Sequence, residues 1–251
     1  MAKQDGLIPL IGTIDNLSFS KSPFGYLARK KTGPTRKAVL KDANFERTRE
    51  NAADFKTAVR AGTLVRATIW PILRVSTNVW LNGRMNALLL QAVRSDKTNG
   101  RGKKAMLPAA LSILKGFEIN ANNPITKRKG ISYKIKKNVR KGIIQLTIPP
   151  FISKTALTPP DDATHFKIMT ISASINFTKT QLTNDLQNSD LLAISRRKTT
   201  TLTFQRPIIN KAGEAQLLAL GIAFYKKVDG LEKLLKGGAA KIVEAGEVSA
   251  S

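Results

Sequence analysis

The sequence predicts an α+β chain: an N-terminal β-ribbon and a helical layer, followed by an antiparallel β-sandwich of Ig-like or jelly-roll-like type. Three observations lead there. Between about residues 42 and 115 apolar side chains recur at helical spacing. After Gly116 they alternate at strand spacing, in runs separated by turn residues. Before residue 32, turn signals divide a short apolar stretch into a meander. The chain accordingly reads as two parts, a ribbon arm with a basic helical region over 1–116 and a sandwich over 117–251.

Gly12-Thr13-Ile14, Asp15-Asn16 and Leu17-Ser18-Phe19-Ser20 read as strand, turn and strand. Ser22-Pro23-Phe24-Gly25 makes a second turn before a third strand at Tyr26–Arg29. Thr32-Gly-Pro-Thr35 breaks the pattern. From Asp42 or Asn44, both capping residues, a helix is expected to about Ile69, with Phe45, Ala52, Phe55 and Val59 as its apolar stripe and Pro71 beyond its end. Arg47 and Arg49 are placed to pair with Glu46 or Glu50. A second helix covers roughly 77–94, burying Val79, Leu81, Met85, Leu88, Leu89 and Val93, and Trp70 and Trp80 at the break read as core or contact anchors. A third helix is expected over about 102–115, stopped by Gly116.

Strands are expected at 117–120, 131–136, 143–148, 164–177, 199–205, 216–227, 231–235 and 241–245. Met169, Ile171, Ala173, Ile175 and Phe177 form one inward row, while Phe166 and Ile168 have the opposite parity, which predicts a bulge or a change of packing near 168. Leu218, Leu220, Ile222 and Phe224 form another inward row, and Asp229-Gly230 suits a type I′ hairpin turn. Lys236-Gly237-Gly238 reads as a hairpin end.

Charge narrows the function. The 251 residues hold 42 Lys+Arg against 17 Asp+Glu, a net charge of +25. Residues 1–150 carry 29 basic and 8 acidic side chains, whereas 151–251 carry 13 and 9. The excess sits in the first part and calls for a polyanionic partner, of which nucleic acid is the commonest. The densest runs supply the candidate phosphate contacts: Arg101, Lys103 and Lys104; Lys127, Arg128 and Lys129; and Lys136, Lys137, Arg140 and Lys141. Arg29-Lys30-Lys31 with Arg36-Lys37 is a smaller cluster. Only Tyr133 lies among the main runs, so stacking on bases is not expected, and phosphate contact without sequence readout is.

Other chemistry is thinly supplied. With no cysteine and one histidine, His165, neither a thiolate nucleophile nor a multi-histidine metal site can be built. No phosphate-loop, dinucleotide, nucleophile-elbow or zinc-protease motif occurs. Neither catalytic activity, a cofactor nor a small-molecule substrate is expected. No signal peptide or membrane span is expected, so the predicted location is the cytoplasm or the inside of an assembled particle.

Gly12-Thr-Ile-Asp-Asn-Leu-Ser-Phe19-x-Lys21-Ser22, Gly25-Tyr26-Leu-x-Arg29 and Phe45-x-Arg47-Thr-Arg49-Glu50-Asn51-x-x-x-Phe55 together resemble a family of uncharacterised Bacteroidetes proteins. Gly116-Phe117-Glu118-x-Asn120, Thr164-His165-Phe166-Lys167-Ile168 and Leu220-Gly221-Ile222-x-Phe224-Tyr225 extend the resemblance over most of the chain. It implies a bacterial or phage-associated origin and a two-part layout, and it brings no catalytic residues with it. The function expected from the residues is a self-assembling, homo-oligomeric structural subunit that contacts nucleic-acid phosphates. A monomeric nucleic-acid-binding or ribosome-associated accessory protein, and a protein-interaction module whose charge serves solubility, are the alternatives.

Overall fold

The computed structural model describes residues 2–6, 8–76, 80–125, 130–208, 213–228 and 230–247. The chain is α+β and divides into two units, Met1–Glu50 and Asn51–Ser251.

The first unit is an antiparallel sheet in the order β1-β4-β3-β2, made of β1 (Ala2–Lys3), β2 (Gly12–Ile14), β3 (Leu17–Ser22) and β4 (Gly25–Lys30). The turns fall where the sequence puts them. Asp15 takes φ 48°, and Gly25 takes φ 109° in a turn closed by Ser22, whose hydroxyl accepts from Phe24 N and donates to Gly25 O. Helix α1 (Arg36–Lys41), which the sequence does not announce, starts at a Thr35 cap. Arg49 bonds the carbonyls of Val39 and Asp42 at its end, and Arg47 pairs with Glu50 at 3.3 Å. None of the described residues in 2–50 is buried.

In the second unit a central sheet is covered on both faces. It has the order β12-β11-β7-β8, from β7 (His165–Asn176), β8 (Gln181–Asn188), β11 (Ala215–Val228) and β12 (Leu231–Gly246), with β9 (Leu192–Ala193) also paired to β7. One face packs on α2 (Glu46–Thr68), α3 (Trp70–Leu73), α4 (Leu81–Arg94) and the 3₁₀ turn Ala109–Leu114. The other faces a three-stranded sheet in the order β10-β6-β5, from β5 (Lys134–Asn138), β6 (Ile143–Ile148) and β10 (Leu202–Pro207). A short helix, α5 (Ser153–Ala156), lies in the connection between β6 and β7.

Strand parity sorts the two cores. Met169, Ile171, Ala173 and Ile175 join Leu217, Ala219 and Ala223 against the helices. Phe166, Ile168, Leu218, Leu220, Ile222 and Phe224 join Ile144, Leu146, Ile148 and Phe204. The change expected near residue 168 is one of packing. The β7–β11 register runs unbroken from Ala215↔Ile175 to Tyr225↔His165, and beyond Ile168 the same face continues as buried Thr170, Ser172 and Ser174. These polar side chains are tolerated because partners wait for them. Ser172 donates to Pro207 O at 3.2 Å, Ser174 donates to Glu214, and Arg206 bonds Thr170 O at 3.0 Å.

Several expectations change. The core of residues 58–119 is shared with strands up to Ala245, so it runs across the boundary expected near 117. Phe55 is 48% exposed, and α2 instead buries Asp54, Ala58, Ala61, Gly62 and Val65, small residues that allow close helix contact. Trp70 and Trp80 are 60% and 65% exposed, not core. The third helix shrinks to Ala109–Leu114, because Pro108 disfavours helix before it and Gly102 has φ 74°. Val79 lies outside the described residues, as does Asp229 of the β11–β12 hairpin, whose strands pair from Val228↔Leu231. Segments 231–235 and 241–245 are one strand. Lys236-Gly237-Gly238 is a bulge inside it, where the register jumps between Ile222↔Ala239 and Phe224↔Leu235. The expected 117–120 strand survives as an isolated bridge, Glu118↔Lys241, on the outer side of β12.

Candidate nucleic-acid interface

The strand β5 contains one apolar residue, Ile135, which joins the inter-sheet core. Alternation then sends Lys134 and Lys136 to the opposite face, beside Thr147 and Gln145 of β6, which pair with Thr203 and Gln205 of β10. This outer face is polar at these positions of all three strands, and Ile143 and Pro207 end it beside Asn138. Lys137 shares the parity of Ile135 and is engaged otherwise: its Nζ lies 3.5 Å from Glu244, which also takes Lys115 at 3.1 Å. Arg140 and Lys141 are exposed in the turn to β6, which Asn138 closes by accepting from Lys141 N at 3.0 Å and Gly142 completes at φ 62°.

The 101–104 run is divided by its anchoring. Arg101 and Lys103 are exposed. Lys104 is half-buried, and its Nζ donates to the carbonyls of Arg94 and Asp96 at the end of α4. A cation there complements the negative end of the helix. The loop it closes is organised by the buried Asp96 carboxylate, which accepts from Ala105 N, Asn99 Nδ2, Thr98 N and Asn99 N. The bonds from Ala105 and Asn99 hold that carboxyl well below the usual carboxylate range. Lys127, Arg128 and Lys129 lie outside the described residues.

Of the ten residues singled out, the structure thus leaves Arg101, Lys103, Lys136, Lys137, Arg140 and Lys141 exposed, pairs Lys137 with Glu244, and half-buries Lys104 on the carbonyls it bonds. Lys134 belongs with the exposed set, and the parity of Ile135 already signals this in the sequence. Tyr133 is half-buried against the inter-sheet core. In the first unit, Arg29, Lys30 and Thr32 line an open groove of about 560 Å³ with Leu17 and Ala28. They also line one of about 180 Å³ with Thr13, Ser18 and Lys31. Hydroxyl, guanidinium and ammonium groups in one small concavity suit an anionic oxygen ligand.

His165 is half-buried at the start of β7, with its Nδ1 2.8 Å from the Thr164 hydroxyl. Asp162 is exposed and pairs with Lys226 at 3.3 Å. Among the described residues no helix is long and apolar enough to cross a membrane. No family model, curated protein or solved structure matches the chain.

Proposed function

We propose that this protein is a non-enzymatic structural subunit that assembles with copies of itself and holds nucleic acid by its phosphates. The observation that carries the reading is the net charge of +25, which leaves basic side chains without acidic counterparts in the chain. Arg101, Lys103, Lys134, Lys136, Arg140 and Lys141 are among those exposed to a partner. Charge of this size on one folded chain is self-repulsive, and a polyanion relieves it while releasing its own counterions. Lysines on a hydroxyl- and amide-bearing sheet face suit backbone oxygens more than base edges, so binding is expected to be indifferent to sequence. Assembly is supported by the first unit, a four-stranded sheet with no buried residue among those described, which is marginal alone. The packed sheets of the second unit, read as a sandwich of coat-subunit type, belong to the same proposal.

The test is a salt titration of binding to unrelated DNA and RNA oligomers, with light scattering after nuclease treatment. The expected result is affinity that falls linearly in log–log form as salt rises, about 0.9 in slope per phosphate contact on duplex DNA, and a scattering mass above one chain. Absent binding at low salt, or a flat salt dependence, removes the nucleic-acid reading. A monomer at every salt concentration removes the assembly reading.

A further inference from the structure

We infer that β8 is a homotypic dimerisation edge, pairing antiparallel with β8 of a second copy about a two-fold axis at Asn184, so that two central sheets join into one. The inference deepens the assembly half of the reading above and rests on it.

Strand β8 ends the sheet order β12-β11-β7-β8, and all eight of its residues are exposed. Edges of this length are usually guarded by lysine, proline or a bulge. Gln181–Asn188 has neither Lys nor Pro, and its register with β7 is unbroken from Met169↔Asn188 to Asn176↔Gln181. The backbone groups that face outward follow from the ladder. Ser189 N donates to Ile168 O at 2.8 Å, so by alternation residues 183, 185 and 187 turn their amides to β7, while 182, 184, 186 and 188 turn theirs to the open edge.

The occupant is specified by the sequence of the strand. Gln181-Leu182-Thr183-Asn184-Asp185-Leu186-Gln187 reads nearly the same in both directions about Asn184. In the antiparallel register centred there, each outward-facing residue meets an outward-facing residue, so the ladder closes. Leu182 then lies opposite Leu186 of the second copy, Gln181 opposite Gln187, and Asn184 opposite itself. Thr183 lies opposite Asp185, where a hydroxyl can donate to the carboxylate and the two aspartates are kept apart. A self-complementary patch is what a two-fold interface requires.

Electrostatics favours the same place. Two chains of charge +25 repel, yet no Lys or Arg occurs in the sequence between Lys179 and Arg196, and Asp185 balances Arg206, which reaches it at 3.0 Å. The face shared with the helices is also apolar enough to be covered. Leu182 and Leu186 are 37% and 40% exposed, and Asn184 bonds Thr68 O at 2.8 Å, two residues before the exposed Trp70.

The chain has no cysteine, so one introduced thiol reports the register without background. The full-length protein, freed of nucleic acid, is studied by sedimentation velocity at low and high salt, with circular dichroism to verify folding of each variant. Wild type is expected to be dimeric or larger. Asn184→Cys is expected to form a disulfide-linked dimer under mild oxidation, because directly opposite residues in a hydrogen-bonded antiparallel pair have Cα atoms about 5.5 Å apart. Gln181→Cys, which faces position 187, is expected not to. Thr183→Asp sets two carboxylate pairs face to face and should raise the dimer dissociation constant about tenfold, whereas Thr183→Lys, facing Asp185, should not weaken the dimer. If the protein assembles but Asn184→Cys does not cross-link, or if Thr183→Asp and Thr183→Lys act alike, the β8 interface is wrong and assembly through another surface stands. If wild type is monomeric throughout, both fail.

Discussion

The amide of Gly238 donates to the carbonyl of Val75 at 2.8 Å and ties the bulge of β12 to the chain just after α3. The contact requires a residue without a side chain. A Cβ at Gly238 would lie 2.5 Å from Ile222 O and 2.7 Å from Val75 O, and neither backbone oxygen can move without moving its element. Gly238→Ala is therefore expected to cost about 3 kcal/mol in urea denaturation. Gly62→Ala is the contrasting case. Its Cβ would meet Asn86 Oδ1, Arg66 Nη1 and Leu89 Cδ1, all ends of side chains and none of them backbone, and alanine favours the helix. A loss below about 1 kcal/mol is expected.

Basic residues of one sequence run are expected to separate by role. Replacing Lys136, Arg140 and Lys141 together by glutamine should reduce the salt slope of nucleic-acid binding by about 3, roughly one per phosphate contact, with stability changed by less than about 0.5 kcal/mol. Lys104→Gln should do the reverse. Lost bonds to the Arg94 and Asp96 carbonyls should lower stability by about 1 kcal/mol, while the salt slope remains that of the wild type. Binding isotherms at several salt concentrations and denaturation curves on the same samples distinguish the two.

Asp96 predicts a pH dependence. Its folded carboxyl titrates below the unfolded value, so its contribution is complete above the unfolded pKa of about 4 and is lost progressively as pH falls below that. Asp96→Asn should be less stable than wild type at neutral pH. The gap should narrow below about pH 4, as the carboxyl takes up its proton in the unfolded wild-type chain while the folded one stays ionised. Urea midpoints for both proteins between neutral pH and pH 3 measure it.

Arg206 is 5% exposed between the sheets. It bonds Asp185 Oδ2 at 3.0 Å, Asp185 O at 2.7 Å and Thr170 O at 3.0 Å, while burial lowers its pKa and Asp185 opposes that. Arg206→Ala leaves the carbonyls of Thr170 and Asp185 without their buried donor and opens a space between the sheets, and a loss of about 3 kcal/mol is expected. Asp185→Ala removes an exposed partner while the carbonyls remain, and about 1 kcal/mol is expected. Equal losses in chemical denaturation would contradict this asymmetry.

Much of the second unit is legible in its residues. The limits of β6 are read as they stand, 143–148, because Ile144, Leu146 and Ile148 alternate cleanly and prolines follow. The row Leu218, Leu220, Ile222 and Phe224 is inward as read. Strand β8 escapes because Gln181–Asn188 has only two leucines, both on one parity, and resembles a polar loop; what makes it a strand is the unsatisfied edge of β7. The helical face of α2 is misread because Phe55 is the largest apolar residue of its turn. Packing instead selects Ala58, Ala61 and Gly62, small enough for α4 to approach. For the candidate interface, composition identifies basic runs but cannot say that Lys104 bonds the carbonyls at the end of α4 or that Lys137 reaches Glu244, since those partners come from folding.

The sequence by itself determined the charge, the absence of thiol chemistry, the early meander and the alternation that makes the later strands. These are local: they depend on composition, on period and on turn residues. Only the tertiary structure decided that the central sheet is covered on both faces, that its serines and threonines are buried among Arg206, Gln216 and Glu214, and which lysines remain outside. A polar side chain is buried when distant residues supply its hydrogen bonds, and a cation is withdrawn when a distant carboxylate or helix end lies within reach. Neither condition is written in the neighbouring sequence.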